Sequence, residues 1–125
     1  MSAVRPHLAP DAALVLRKAV LRAAQRLGLA QKDLGEIVGL SAASVSRLAS
    51  GGLVLEPESK QGELALLFLR MVRSLDAIVG GDEEKARLWF FAHNTHLTGV
   101  PNERARSVEG LVDVVQYLDA VRGHL

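Results

Sequence analysis

From Asp11 onward, apolar residues recur at three- and four-residue intervals along almost the whole chain, and no run of four to eight residues alternates as a half-buried strand would. The pattern predicts an all-α protein. Asp11, following Pro10, caps a helix running to about Leu27, with the stripe Leu14, Val15, Ala19, Leu21 and Ala24, and Gly28 ends it. Two short helices follow over 31–38 and 42–50. The segment GGLVLEPES is a connector, after which Leu64, Leu67, Phe68, Met71, Val72, Leu75 and Ile78 form the stripe of a long helix near 60–79, closed by Gly80 and Gly81. Asp82 caps a helix over roughly 83–92, with Glu83 and Glu84 in the first turn where the macrodipole favours them. Pro101 suits the first turn of a short helix, Ser107 caps the last one, and Gly123 stands where a helix usually stops.

Between Ala30 and Gly52 the pattern tightens. Leu34, Val38, Leu40, Val45 and Leu48 fall where two short crossing helices bury them, Gly35 sits at their closest approach, Gly39 permits the tight turn and Ser41 caps the second helix. With that set inside, Ala42, Ala43, Ser44, Ser46 and Arg47 are left on the outer face, the face a recognition helix lays in the major groove. Gln31, opening the preceding helix, can reach a phosphate. Alanines offer thymine-methyl contacts but no bidentate hydrogen bonds, so base readout would rest on Ser44, Ser46 and Arg47.

Charge supports a split between halves. Residues 1–50 carry seven lysines and arginines against three acids, a balance of +4, whereas residues 51–125 carry eight against eleven, a balance of −3. A polyanionic partner is plausible for the first half alone, although ordinary surface scatter gives differences of this size. At 125 residues the chain holds one core or two small ones packed together. The absence of cysteine removes disulfides, thiolate metal sites and a cysteine nucleophile, and fits a reducing cytoplasm. No apolar run approaches a membrane span, and MSAVRPHLAPDAALVLRKAV lacks the apolar centre of a signal peptide, so a soluble cytoplasmic protein with no membrane partner is expected.

The helix-turn-helix stretch resembles the DNA-binding domain of the Xre and phage-repressor type, matching "QxxLaxxlGvSxxtvSRlxxG" at Gln31, Leu34, Gly39, Ser41, Val45, Ser46, Arg47 and Gly51. The resemblance implies double-stranded operator DNA as a partner, contacted by Gln31, Ser41, Ala42, Ala43, Ser44, Ser46 and Arg47.

The segment LWFFAHNTHLTG, residues 88–99, gathers the only tryptophan, two of three phenylalanines and two of four histidines. As a metal site, His93 and His96 supply only two ligands, with no HExxH pattern and no thiolate nearby. As a catalytic site the segment has neither a nucleophile nor paired carboxylates, its acids being capping residues. Its packing reading puts Leu88, Phe91 and either Trp89 or Phe90 in the core. Four consecutive large apolar residues cannot all face inward on one helix, so at least one projects toward a partner.

The second half resembles the toxin-binding domain of the Xre/MbcA/ParS antitoxins. The residues that carry the likeness are GDEEKARLW at 81–89, then Asn94, Leu97, Gly99 and Pro101, then SVEGLVDVVQYLDAVRG at 107–123. Thr98 replaces the first glycine of the family's usual pair, and Asn102 to Arg106 lacks the apolar residues that follow the proline elsewhere. The resemblance implies an antitoxin of the Xre–RES type: no enzymatic step and no cofactor, a RES-domain toxin that destroys NAD+ as partner, and repression of its own operon. It makes Trp89, Asn94, Arg122, Gly123, His124 and Leu125 the toxin-binding residues, the last four as a plug approaching the toxin's cleft; read without it, those four are a frayed helix end. The expected organisation is a helix-turn-helix domain over 1–57 and a helical dimerisation and toxin-binding domain over 58–125, assembled as a homodimer. The alternative is a stand-alone transcriptional regulator without a toxin.

Overall fold

The computed structural model describes residues 11–125. Pro10 and Arg5, which entered the reading of the first helix and of the basic half, lie outside them. Seven helices follow one another: α1 (Ala12–Leu27), α2 (Gln31–Val38), α3 (Ala42–Ser50), α4 (Lys60–Ile78), α5 (Glu83–Phe91), α6 (Pro101–Arg104) and α7 (Val108–Arg122). Among the described residues the only extended pairing is an isolated bridge between Asn94 and Gly99, so the all-α expectation holds.

The helix starts have the chemistry their sequences announce. Asp11 accepts hydrogen bonds from the amides of Ala13 and Leu14, Ser41 from Ser44, Ser59 from Gly62, Asp82 from Lys85 and Ser107 from Gly110. Each satisfies an amide that the first turn leaves without an intrahelical acceptor. α2 is different: its cap position is Ala30, which offers no side-chain acceptor.

A single core runs through both halves, with Val20, Val38, Val45, Leu48, Phe68, Met71, Leu75, Phe90, Leu111 and Val114 fully enclosed. α4 is its spine. It packs most extensively on α7 and also touches α1, α2 and α5. Two positions depend on close approach. A Cβ on Gly35 would collide with the Leu40 carbonyl oxygen and press on Val45, which is why α2 and α3 cross there, and Gly39 closes the turn at φ 78°. The buried helix-turn-helix set is as expected except that Leu40 is only partly enclosed.

One stripe is corrected. Leu14 and Val15 are 44% and 52% exposed, and α1 buries Ala24 as expected, together with Ala13, Leu16, Val20, Ala23 and Leu27. Apolar residues occupy most of its circumference, so several phases of the 3.6-residue period fit equally well, and packing on α4 selects the one with Val20 and Leu27 inward. Gly123 is the residue after α7, but with φ −65° it stays right-handed and does not form the left-handed stop glycine usually supplies.

Candidate functional site

Two surfaces carry the sequence-derived candidates. On the first, Gln31, Ser41, Ala42, Ala43, Ser46 and Arg47 are all exposed and Ser44 is half-buried. Ser41 Oγ accepts from the Ser44 amide at 3.1 Å and donates to Ser44 Oγ at 3.0 Å, so both hydroxyls are held at the start of α3. Arg47 projects from the outer face and reaches only the Gly52 carbonyl, at 3.4 Å, leaving donors for another group. Gln31 opens α2, whose first-turn amides have no side-chain cap.

Residues far away in sequence fix this surface. Arg17 on α1 donates through Nε to the Leu48 carbonyl at 2.6 Å and through Nη2 to the Ala49 carbonyl at 2.9 Å, satisfying the C-terminal turn of α3 and pinning α3 to α1. Arg106, just before α7, donates to Glu36 and Asp33 on α2, each at 3.0 Å. Among the described residues of the first half, Arg17, Arg26, Arg47, Asp33 and Glu36 all have side-chain partners.

The second surface is built by α5, the loop after it and α7. Trp89 is half-buried, with its ring nearly parallel to that of Tyr117, at 9° and 6.3 Å between centroids. His96 stacks on the same ring at 5.6 Å. Tyr117, the only tyrosine, thus organises the aromatic segment. Asn94 closes the loop: its backbone pairs with Gly99 at 2.8 and 3.2 Å and its Oδ1 accepts from the Leu97 amide at 3.1 Å. His93 and His96 are exposed, and among the described residues no group of three or more His, Cys, Asp or Glu comes together to hold a metal ion.

At the far end of α7, Arg122 is exposed and its Nη1 donates to Ser74 Oγ at 3.3 Å; that hydroxyl donates to Asp119 at 2.7 Å, and Asp119 pairs with Arg70. Gly123, His124 and Leu125 are exposed, Leu125 at 76%. Arg26 and Asp76 form a two-point pair at 2.9 and 3.0 Å that joins α1 to α4. The hydrogen bonds and charge of Asp76 raise the Arg26 pKa above its ordinary value, against a small opposing effect of burial.

This arrangement, an outward recognition helix on one half and a helical unit on the other, coincides with two family models. The antitoxin Xre-like helix-turn-helix domain matches residues 6–70 and the antitoxin Xre/MbcA/ParS C-terminal toxin-binding domain matches residues 74–123. The chain belongs to the Xre/MbcA/ParS antitoxin family. The antitoxin is also similar to a chain of the crystal structure of the M. tuberculosis MbcT-MbcA toxin-antitoxin complex, with a TM-score of 0.68 and 26% identity over 89% of this chain and 96% of that one. No curated protein matches it. No helix among the described residues of the antitoxin is long and apolar enough to cross a membrane.

The aromatic segment of the antitoxin corrects the expected packing. Phe90 is fully buried and Trp89 half-buried, but Leu88 and Phe91 are 65% and 43% exposed. Ala86 and Phe90, one turn apart, are the pair α5 turns inward. Sequence reading missed Arg17, Arg106 and Tyr117. For Tyr117 a signal existed, a lone tyrosine amid aliphatic residues of an amphipathic helix; for the arginines none did, because their acceptors lie 31 or more positions away.

Proposed function

We propose that this antitoxin neutralises a RES-domain toxin that degrades NAD+, covering the toxin's active site with its C-terminal end, and that it represses its own operon as a homodimer bound to operator DNA. The observation that carries the reading is the coincidence of the toxin-binding model with residues 74–123, ending on the exposed last turn of α7. The M. tuberculosis chain it resembles comes from a toxin-antitoxin complex.

In this reading Arg122, Gly123, His124 and Leu125 enter the toxin cleft. Arg122 is suited to an anionic or phosphate-binding position because guanidinium offers a fixed pair of donors, and its single contact to Ser74 is easily exchanged. Trp89 and Asn94 shape the adjoining surface, Trp89 through its stack on Tyr117 and Asn94 through the loop it closes. Residues 1–57 form the DNA-binding unit and 58–125 the dimerising, toxin-binding unit. The protein acts in the cytoplasm, takes no cofactor and performs no catalytic step of its own.

For DNA, the exposed row Ala42, Ala43, Ser46 and Arg47 lies in the major groove, and Gln31 with the uncapped amides of α2 meets a phosphate. A two-fold homodimer reads a palindromic site. The test is co-expression with the product of the adjacent reading frame, affinity capture, and an assay of cellular NAD+. Capture with NAD+ preserved supports the reading; a neighbour that neither co-purifies nor consumes NAD+ leaves the chain a stand-alone regulator.

A further inference from the structure

α5 turns Ala86 and Phe90 into the core, and the face opposite them is formed by Glu84, Leu88 and Phe91 with Arg87 at its edge. At 100° per residue, positions 84, 88 and 91 fall on one side of a helix and 86 and 90 on the other. Leu88 and Phe91, one turn apart, are 65% and 43% exposed and line a shallow groove with Glu84, Arg87 and Ala92. Phe91 sets its ring edge-on to Phe90, at 5.4 Å between centroids and 84°, and still leaves much of its surface open; the helix is otherwise anchored by Phe90, by Trp89 on Tyr117, and by Arg87, whose guanidinium is occupied by the Gln25 and Arg26 carbonyls and by Glu83. Glu84 makes no ion pair among the described residues, so the free charge on this face is negative.

The size and shape of the patch select its occupant. A stable contact between two copies buries roughly 800 Å² per partner, more than two side chains beside a shallow groove supply by meeting their own image. Two large apolar side chains one turn apart suit a recess in a larger partner, where a few buried anchors carry most of the binding energy. The patch lies inside residues 74–123, the part of the chain that matches a toxin-binding domain. We infer that Leu88 and Phe91 anchor the toxin by inserting into an apolar recess on its surface, with a toxin cation opposite Glu84. The contact is a second one, separate from the tail, and it rests on the toxin-binding reading above.

The test measures binding of purified full-length antitoxin to immobilised toxin encoded by the adjacent frame. Leu88 is 65% exposed and Phe91 meets the core only through its edge on Phe90, so the double variant Leu88→Ser, Phe91→Ser is expected to stay folded, with a thermal midpoint only slightly below wild type and an unchanged light-scattering mass, while Kd rises about 100-fold, the loss of two anchors. Glu84→Lys weakens binding about 10-fold through charge reversal at the rim. Val108→Ser, an exposed apolar position elsewhere in the same half, leaves Kd unchanged. Wild-type binding with an unchanged Kd for the double variant overturns this inference alone, as does a double variant whose free mass halves, which would make the patch a contact between copies. A wild-type chain that binds no toxin overturns the reading beneath it as well.

Discussion

Arg106 and Asp33, 73 positions apart, meet at 3.0 Å, and the other arm of the same guanidinium holds Glu36 at 3.0 Å. The pair ties the segment before α7 to α2, so the C-terminal half is joined to the helix-turn-helix half through charge as well as through the shared α4. Arg26 with Asp76, and Arg87 with the carbonyls ending α1, make the same join from the other side.

Arg106→Ala should therefore lower stability, but modestly. Its side chain is 34% exposed and its partners are 28% and 38% exposed, so water screens much of the attraction, and a loss of about 0.5–1 kcal/mol is expected. Urea unfolding reads it. Combining Arg106→Ala with Asp33→Asn and Glu36→Gln should cost less than the sum of the separate losses; strict additivity would show that the pairs do not interact.

Thr98 stands where the family's pattern has a glycine, and its φ of 50° is left-handed, a conformation costly for a β-branched residue. Replacing it by glycine relieves that strain at some cost in unfolded-state entropy. Thr98→Gly is expected to raise stability by about 0.5–1 kcal/mol, visible as a higher thermal midpoint; a lower midpoint would mean that the Thr98 hydroxyl on the Leu97 carbonyl matters more than the backbone.

Phe90 and Trp89 are neighbours with different duties. Phe90 is fully buried, so Phe90→Ala should cost about 3–5 kcal/mol and leave much of the population unfolded at 37 °C. Trp89→Phe keeps a ring against Tyr117 and is expected to change the unfolding free energy by less than about 1.5 kcal/mol. Equal losses for the two would contradict the packing described.

Arg47 has most of its donors free on the outer face of α3. Under the DNA-binding reading, Arg47→Ala weakens binding to the antitoxin's own promoter. If Arg47 contacts phosphate, the slope of log K against log salt becomes shallower by about 0.9; if it reads a base, the slope stays and discrimination between promoter and random DNA falls. Unaltered binding to both would remove Arg47 from the interface.

Most of the fold was legible because caps and breakers are local. Asp11, Ser41, Asp82 and Ser107 each bond an amide two or three positions on, so helix starts could be placed from short stretches, and α2 and α3 fall on the expected spans. Which face turns inward was less legible where a helix is apolar on several sides. α1 offered Leu14 and Val15 as readily as Leu16 and Val20, and α5 offered Leu88 and Phe91 as readily as Ala86 and Phe90; in both cases the smaller or better-spaced set is buried. The arginines that fix the two surfaces were illegible, since the groups they bond are brought close only by the completed fold.

Restraint of a toxin is the role proposed for this chain. Its most direct test is to follow NAD+ consumption by the purified product of the adjacent reading frame while full-length antitoxin, or a chain ending at Val121, is titrated in. Full-length antitoxin is expected to stop consumption at a fixed molar ratio and the shortened chain to leave it running, even where it still binds. Undiminished consumption in the presence of excess full-length antitoxin would contradict that role.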